Sequence, residues 1–114
     1  MTAGRRALGA RGEELTARWY EARGYTVVSR NWRCREGELD LVLSRGRSLV
    51  FCEVKTRSSA AYGTPFEAVT RTKQRRLGVL AVRWLDAHEA RPASLRFDVA
   101  AVMGGVVDVL EAAF

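Results

Sequence analysis

Histidine, lysine and cysteine are all scarce in this chain of 114 residues. A single histidine, His88, argues against a histidine-rich zinc site and against a histidine-based catalytic triad. Two cysteines, Cys34 and Cys52, cannot build a disulfide framework, so reduced thiols in a cytoplasmic protein are expected. No apolar run approaches a membrane span; the best stretch, 97–110, is broken by Asp98 and Asp108. The first residues, MTAGRRALGARGEE, are charged and contain no apolar h-region, so neither a secretory signal nor a membrane partner is expected. Of 19 basic residues only Lys55 and Lys73 are lysine, which leaves 17 arginines.

Against these shortages stand an apolar fraction of 47% and a formal charge of +6. The first supports one small domain with its own core over 1–114, with no linker dividing it. The charge is uneven: residues 1–76 hold 16 basic and 8 acidic groups, residues 77–114 hold 3 and 5. Clustered guanidinium groups suit phosphate, whose oxygens they match bidentately. Arginine-rich codon usage on an ordinary solvated surface is the competing explanation.

Periodicity and punctuation divide the chain into seven elements. A helix is expected over about 7–23, with Leu8, Leu15, Trp19 and Ala22 as its apolar stripe and Gly24 as its stop. A short strand at 25–29 precedes a polar, basic loop at 31–37. In a strand at 38–43, Leu39, Leu41 and Leu43 should face one way, and Glu38, Asp40 and Val42 the other. A turn at 44–47 leads to a strand at 49–55. There Leu49, Phe51, Glu53 and Lys55 share a face opposite Val50, Cys52 and Val54. After a loop at 56–63, a second helix should run from an N-cap at Thr64 to about His88, with Pro65 in its first turn and Glu67 closing a capping box. Its core line would be Phe66, Val69, Leu77, Leu80, Ala81 and Trp84. Strands at 95–102 and 106–110 complete an α/β domain, a mixed five-stranded sheet flanked by helices in the order α-β-β-β-α-β-β.

The chemistry lies in two neighbouring strands. If the 45–48 turn closes a hairpin whose paired numbers sum to 93, Asp40 lies opposite Glu53, and Glu38 opposite Lys55. Two adjacent carboxylates repel unless a proton or a metal ion lies between them. A hard divalent cation, Mg²⁺ or Mn²⁺, suits oxygen ligands and also accepts phosphate oxygens. A lysine on the same face can orient or deprotonate a water. A wet hairpin face carrying two cross-strand ion pairs accounts for the same pattern. Lys73 falls on the second helix's apolar line, where its ammonium would reach either water or the rim of this site. Gln74 is its neighbour and a weaker candidate for site support. Arg30, Arg33, Arg35 and Arg57 flank the carboxylates in sequence and could hold phosphates, or could be solvated loop side chains. Trp32, in the basic loop, could stack on a base. Trp19 and Trp84 fit packing stripes, Cys52 should face the core, and Cys34 has no assigned role.

The segments Gly37-Glu38-Leu39-Asp40-Leu41-Val42 and Phe51-Cys52-Glu53-Val54-Lys55-Thr56-Arg57 resemble a PD-(D/E)XK nuclease core of restriction-endonuclease-like fold. More closely, the chain resembles the YraN family of small bacterial proteins, which are similar to archaeal Holliday-junction resolvases. Gly12-Glu13, Gly24-Tyr25, Arg30-Asn31, Tyr62-Gly63-Thr64-Pro65, Glu67-Ala68-Val69, Lys73 and Arg96-Phe97-Asp98-Val99 extend the likeness over about 9–102. The resemblance implies Asp40 and Glu53 as metal ligands, the Val54 carbonyl as a further ligand, and Lys55 as the residue assisting the attacking water. Leu39 stands where the motif's name has proline. By resemblance alone, Glu13 completes the site from the first helix and Glu38 supports it. The implied activity is metal-dependent endonuclease cleavage of DNA, branched DNA by analogy, leaving a 5′-phosphate. Symmetric cutting of a junction would require a homodimer. A non-catalytic nucleic-acid-binding module on the same fold is the main alternative, and a basic RNA- or ribosome-associated protein a third. Three carboxylates facing phosphates favour the enzyme, because without cations they would repel the ligand.

Overall fold

The computed structural model describes residues 3–57 and 70–114, with side chains from residue 8 onward. Helix α1 (Ala3–Glu21) precedes strands β1 (Thr26–Cys34), β2 (Gly37–Arg45) and β3 (Ser48–Arg57). Helix α2 (Arg71–Ala87), β4 (Ser94–Met103) and β5 (Val106–Leu110) follow. The five strands form one sheet in chain order. Neighbours are antiparallel except β3 and β4, which run parallel across the connection that contains α2. This is the expected mixed α/β architecture. No helix among the described residues is long and apolar enough to cross a membrane.

Each face of the sheet carries one helix. Ala17 and Tyr20 of α1 close over Tyr25, Leu41, Leu43, Val50, Cys52 and Ala100. Leu77, Leu80, Ala81 and Trp84 of α2 close over Leu39, Val42, Leu49 and Phe51 on the other face. The expected described core line of α2 and the inward placement of Cys52 and Trp84 are therefore found. Phe66 and Val69 lie outside the described residues.

Four expectations are corrected. The buried line of α1 is Gly12, Thr16, Ala17 and Tyr20; Leu8 and Ala22 are exposed, and Leu15 and Trp19 are half-buried. Small and polar residues line this face because the helix lies close to β3. A Cβ added at Gly12 would overlap the Thr56 hydroxyl. The polar segment expected as a loop is mostly strand, since β1 continues to Cys34 with Trp32 opposite Leu39 and Arg33 opposite Glu38. As an edge strand β1 needs only one partner, and its polar side chains alternate into water. Its register shifts between Val27 and Ser29, and Asn31 takes φ 48°, which obscures any two-residue period.

Helix α2 begins later than expected. Thr70 is extended (φ −75°, ψ 163°) and its hydroxyl accepts the Lys73 N–H, so Thr70 is an N-cap and no helix runs unbroken from Thr64. The proposed capping box at Thr64 and Glu67 lies outside the described residues. Leu39, finally, joins Val42 against α2 instead of Leu41 and Leu43 against α1. Pairing of β2 with β3 ends at Leu41, so Leu39 is no longer held to the pleat of β3.

One buried polar knot ties α1 to the far half of the sheet. Asp98 is almost wholly buried and accepts from the Tyr20 hydroxyl at 2.6 Å, from Arg96 Nε at 2.8 Å and Nη2 at 2.9 Å, and from the Ala112 N–H at 3.0 Å. With this many donors neither oxygen of the buried carboxylate is left without a partner.

Gly12→Ala should lower stability by about 1–2 kcal/mol, even though alanine favours helix, because overpacking against β3 outweighs that gain. Denaturant unfolding measures this, and Thr56→Ala in the same chain should restore part of the loss. A Gly12→Ala protein as stable as wild type would mean that α1 does not rest on β3 at this point.

Candidate functional site

The hairpin of β2 and β3 has the expected register. Pairs run from Arg45↔Ser48 to Leu41↔Cys52, each summing to 93. There the ladder stops. Instead of a backbone partner, the Val54 N–H finds the Asp40 carboxylate, donating to Oδ2 at 2.8 Å. In a strand the N–H and C=O of one residue point to the same side, so the Val54 carbonyl faces the same opening. Meanwhile β3 stays paired to β4 from Ser48↔Ser94 through Arg57↔Met103, which keeps Glu53 and Lys55 on a regular strand.

A small cavity of about 50 Å³ lies at this opening, lined by Glu38, Leu39, Asp40, Phe51, Cys52, Glu53, Arg76 and Leu77. Asp40 and Glu53 thus border one space. Glu53 Oε1 lies 3.9 Å from Lys55 Nζ and 4.0 Å from Lys73 Nζ. Its other oxygen, Oε2, is buried and accepts no hydrogen bond from the described residues. Leaving such an atom unpaired is costly, which makes it the group here that most lacks a partner. The Lys55 side chain is only 10% exposed, and Lys73 reaches the same carboxylate from α2, so Lys73 sits at the rim over the sheet.

Charge in the cavity is crowded. Burial pushes the Asp40 carboxyl up to about 6, against the pull of the Val54 N–H and with further upward pressure from Glu13, Glu53 and Glu38. Glu13 is raised by burial and by Glu38, with Asn31 and Arg30 opposing. Its influence on Asp40 puts Glu13, on α1, within electrostatic reach of that carboxylate. Lys55 is held below its usual range, first by burial and then by Lys73 and Arg57, with Glu53 opposing.

The profile of Uncharacterised protein family UPF0102 matches residues 12–102, a span that takes in Glu13, Asp40, Glu53, Val54, Lys55 and Lys73. The chain belongs to this family. It is 59% identical over 97 residues to a UPF0102 protein of Beutenbergia cavernae, covering 85% of this chain and 82% of that one. A UPF0102 protein of Clavibacter michiganensis is 54% identical over 96 residues (84% and 81%), and one of Rhodococcus opacus 52% over 99 (87% and 84%). The YraN-like resemblance read from the motifs is therefore found again in whole-chain similarity.

Other residues of this UPF0102 chain fall elsewhere than their sequence neighbours suggested. Glu38 pairs with Arg33 at 3.2 Å rather than with Lys55. Arg30 reaches Glu14 at 2.9 Å. Both arginines stand on β1, not in a loop, and Arg35 is exposed in the turn after it. Arg57 ends β3. Trp32 stands on β1 rather than in a loop and packs, half-buried, against the α2 cluster, 6.0 Å from the His88 ring. Gln74 borders a different, open hollow with Arg71, Arg75, Phe97 and Phe114. Arg76, on the cavity wall, was missed; its signal was the spacing of three from Lys73 along the same helix.

The donor set suits a hard cation. Asp40, Glu53 and the Val54 carbonyl offer only oxygen, and Glu53 Oε2 lacks a partner. Among the described residues no three histidine, cysteine, aspartate or glutamate side chains are already gathered as ligands. An ion held here would therefore keep several waters, as Mg²⁺ does.

An acid whose folded pKa is raised from 3.8 to about 6 stabilises the fold fully below pH 4 and loses that contribution as pH rises through 6. Metal-free protein should lose on the order of 2–3 kcal/mol through Asp40 between pH 4 and 7. Asp40→Asn keeps an acceptor for Val54 and should remove that part of the slope, leaving the variant more stable than wild type at pH 7 in chelator. Thermal melts across this pH range decide it, and an unchanged slope in Asp40→Asn would refute the assignment.

Proposed function

We propose that this UPF0102 protein is a metal-dependent endonuclease that hydrolyses DNA phosphodiester bonds. The observation that carries the reading is the opening where the β2–β3 ladder stops. Asp40, Glu53, the Val54 backbone and Lys55 meet there, with one buried carboxylate oxygen lacking a donor.

Asp40 and Glu53, with the Val54 carbonyl, would hold Mg²⁺ or Mn²⁺, and Glu13 would complete the set from α1, directly or through water. The bound ion would supply a more acidic water and an electrophile for the charge that develops on the phosphoryl oxygens. Lys55, poorly hydrated and below its usual pKa, orients the attacking water and exchanges a proton with it. Water oxygen bonds to phosphorus while the bond to the 3′ oxygen breaks. The leaving oxygen takes a proton from solvent, and the product carries a 5′-phosphate. Glu53 holds both lysines beside the reacting group, and Lys73 contributes positive charge at the rim. A preference for branched DNA, and the two-fold dimer that paired cuts require, rest on the family resemblance.

The second reading is a nucleic-acid-binding module without turnover. The absence of a ready-made group of three acidic ligands among the described residues favours it.

Incubation with supercoiled, flap, single-stranded and four-way-junction DNA in Mg²⁺ or Mn²⁺ separates the two. Cleavage should occur in wild type and disappear in Asp40→Ala and Glu53→Ala; cleavage equal in those variants, or none at all, would defeat the nuclease reading. Lys55→Ala should slow cleavage by roughly 10²–10⁴-fold. A second readout needs no turnover: Mg²⁺ or Mn²⁺ should raise the melting temperature of wild type at pH 7, and not that of Glu53→Ala.

A further inference from the structure

Eight of the 17 arginines are neutralised or anchored by described protein groups, and of the described arginines that are not, three stand together at the start of α2. On α1 and β1, Arg18 and Arg30 share Glu14, and Arg33 pairs with Glu38. Across the sheet, Arg83 pairs with Glu36, and Arg96 with Asp98 and Glu111. Arg23 donates to the Trp19 carbonyl and covers its ring, Arg45 donates to the Arg23 carbonyl, and Arg47 to the Arg91 carbonyl. On the β1 side of the site, Arg30 and Arg33 are thus already engaged by Glu14 and Glu38.

The start of α2 is different. Arg71-Thr72-Lys73-Gln74-Arg75-Arg76 places four cations in six residues, and the first turn has no acidic residue. No described acid pairs with Arg71, Arg75 or Arg76, all three are exposed, and Arg57 at the end of β3 is also without a described acidic partner. Cations near a helix N-terminus oppose the helix dipole, so helix stability does not explain them. The folding of α2 sets them at two concavities. Arg76 lines the carboxylate cavity beside Glu53 and Asp40. Arg71 and Arg75 line the open hollow, about 580 Å³, that includes Phe97 and Phe114.

We propose that the DNA backbone is held by the first two turns of α2, through Arg71, Arg75 and Arg76, and not by the β1 arginines. The track deepens the nuclease reading and rests on it for its substrate. Arg76 holds a phosphate beside the cavity, at the point where the carboxylates would otherwise repel it. Arg71 and Arg75 hold the continuing strand over the hollow, so that DNA reaches the site from the α2 side. Exposed guanidinium groups with no described ion pair match phosphate oxygens at the least cost in broken pairs.

Fluorescence anisotropy with labelled single-stranded and duplex DNA, in chelator over a salt series, tests this without any cleavage. Arg71→Ala/Arg75→Ala/Arg76→Ala should weaken low-salt binding at least ten-fold. It should also flatten the slope of log K against log[salt] by about 2–3, the loss expected for three phosphate contacts. The triple Arg→Lys variant should keep most of the slope, which separates lost charge from lost fold, and circular dichroism checks the helix. Arg30→Ala/Arg33→Ala should change the slope by less than about 1. A wild-type slope in the α2 triple, a larger loss in the β1 pair, or no DNA binding by wild type would overturn the proposal. Binding through α2 by a chain that never cleaves would uphold the track while the nuclease reading failed. Cleavage with an unaltered slope in the α2 triple would do the reverse.

Discussion

The hydrogen bond from the Val54 N–H to the Asp40 carboxylate is the constraint around which this molecule is arranged. A continuous β2–β3 ladder would place backbone against backbone at this level and leave no room between the strands. By accepting the N–H with a side chain, Asp40 ends the ladder at Leu41↔Cys52 and satisfies a donor that would otherwise be stranded. The gap so formed is also where the Val54 carbonyl, Glu53 and Lys55 can meet something from outside. The same substitution of side chain for backbone lets Leu39 leave the α1 face and pack under α2.

Both helices then serve the gap in different ways. α1 can lie against β3 only because Gly12 has no side chain, and that approach brings Glu13 within electrostatic reach of Asp40. Asp98 holds the other end of α1 through Tyr20, so the helix is fixed at two points of the sheet. α2 contributes an apolar underside to the second core and, from its first turns, Lys73 and Arg76 to the cavity. Acids come from the sheet and α1, and bases from β3 and α2. Burial raises Asp40 and Glu13 and lowers Lys55, so each of these three is poised to gain from a ligand of opposite charge.

Some of this could be read from the chain before any coordinates. The apolar runs at 41–43 and 49–52 and the Gly46 turn between them mark a hairpin, and its register follows once the turn is placed at 45–48. The second helix's line of Leu77, Leu80, Ala81 and Trp84 is regular enough to assign its buried face. The first helix was misread for a physical reason: where backbones approach closely, glycine, threonine and alanine fill the interface, and a hydrophobicity pattern passes over them. The full length of β1 is hidden in the sequence because an edge strand with a bulge and a positive-φ asparagine has lost the alternation that identifies strands. The start of the second helix is ambiguous in sequence because Thr64-Pro65-Phe66-Glu67 has the chemistry of a cap, while Thr70, six residues on, has it too and is the one found at the start of α2.

By itself the sequence determined the composition of the acidic and basic groups, the class of fold, the hairpin pairing and membership of UPF0102, since these depend on local periodicity and on whole-chain similarity. It could not determine which carboxylates are left without partners or which arginines are already spent. Those outcomes depend on contacts between residues far apart in the chain: Glu14 with Arg30, Glu36 with Arg83, Lys73 with Glu53, Glu13 with Asp40. Whether a charge is free or neutralised is a property of its neighbours in space, and only the folded sheet and its two helices decide who those neighbours are.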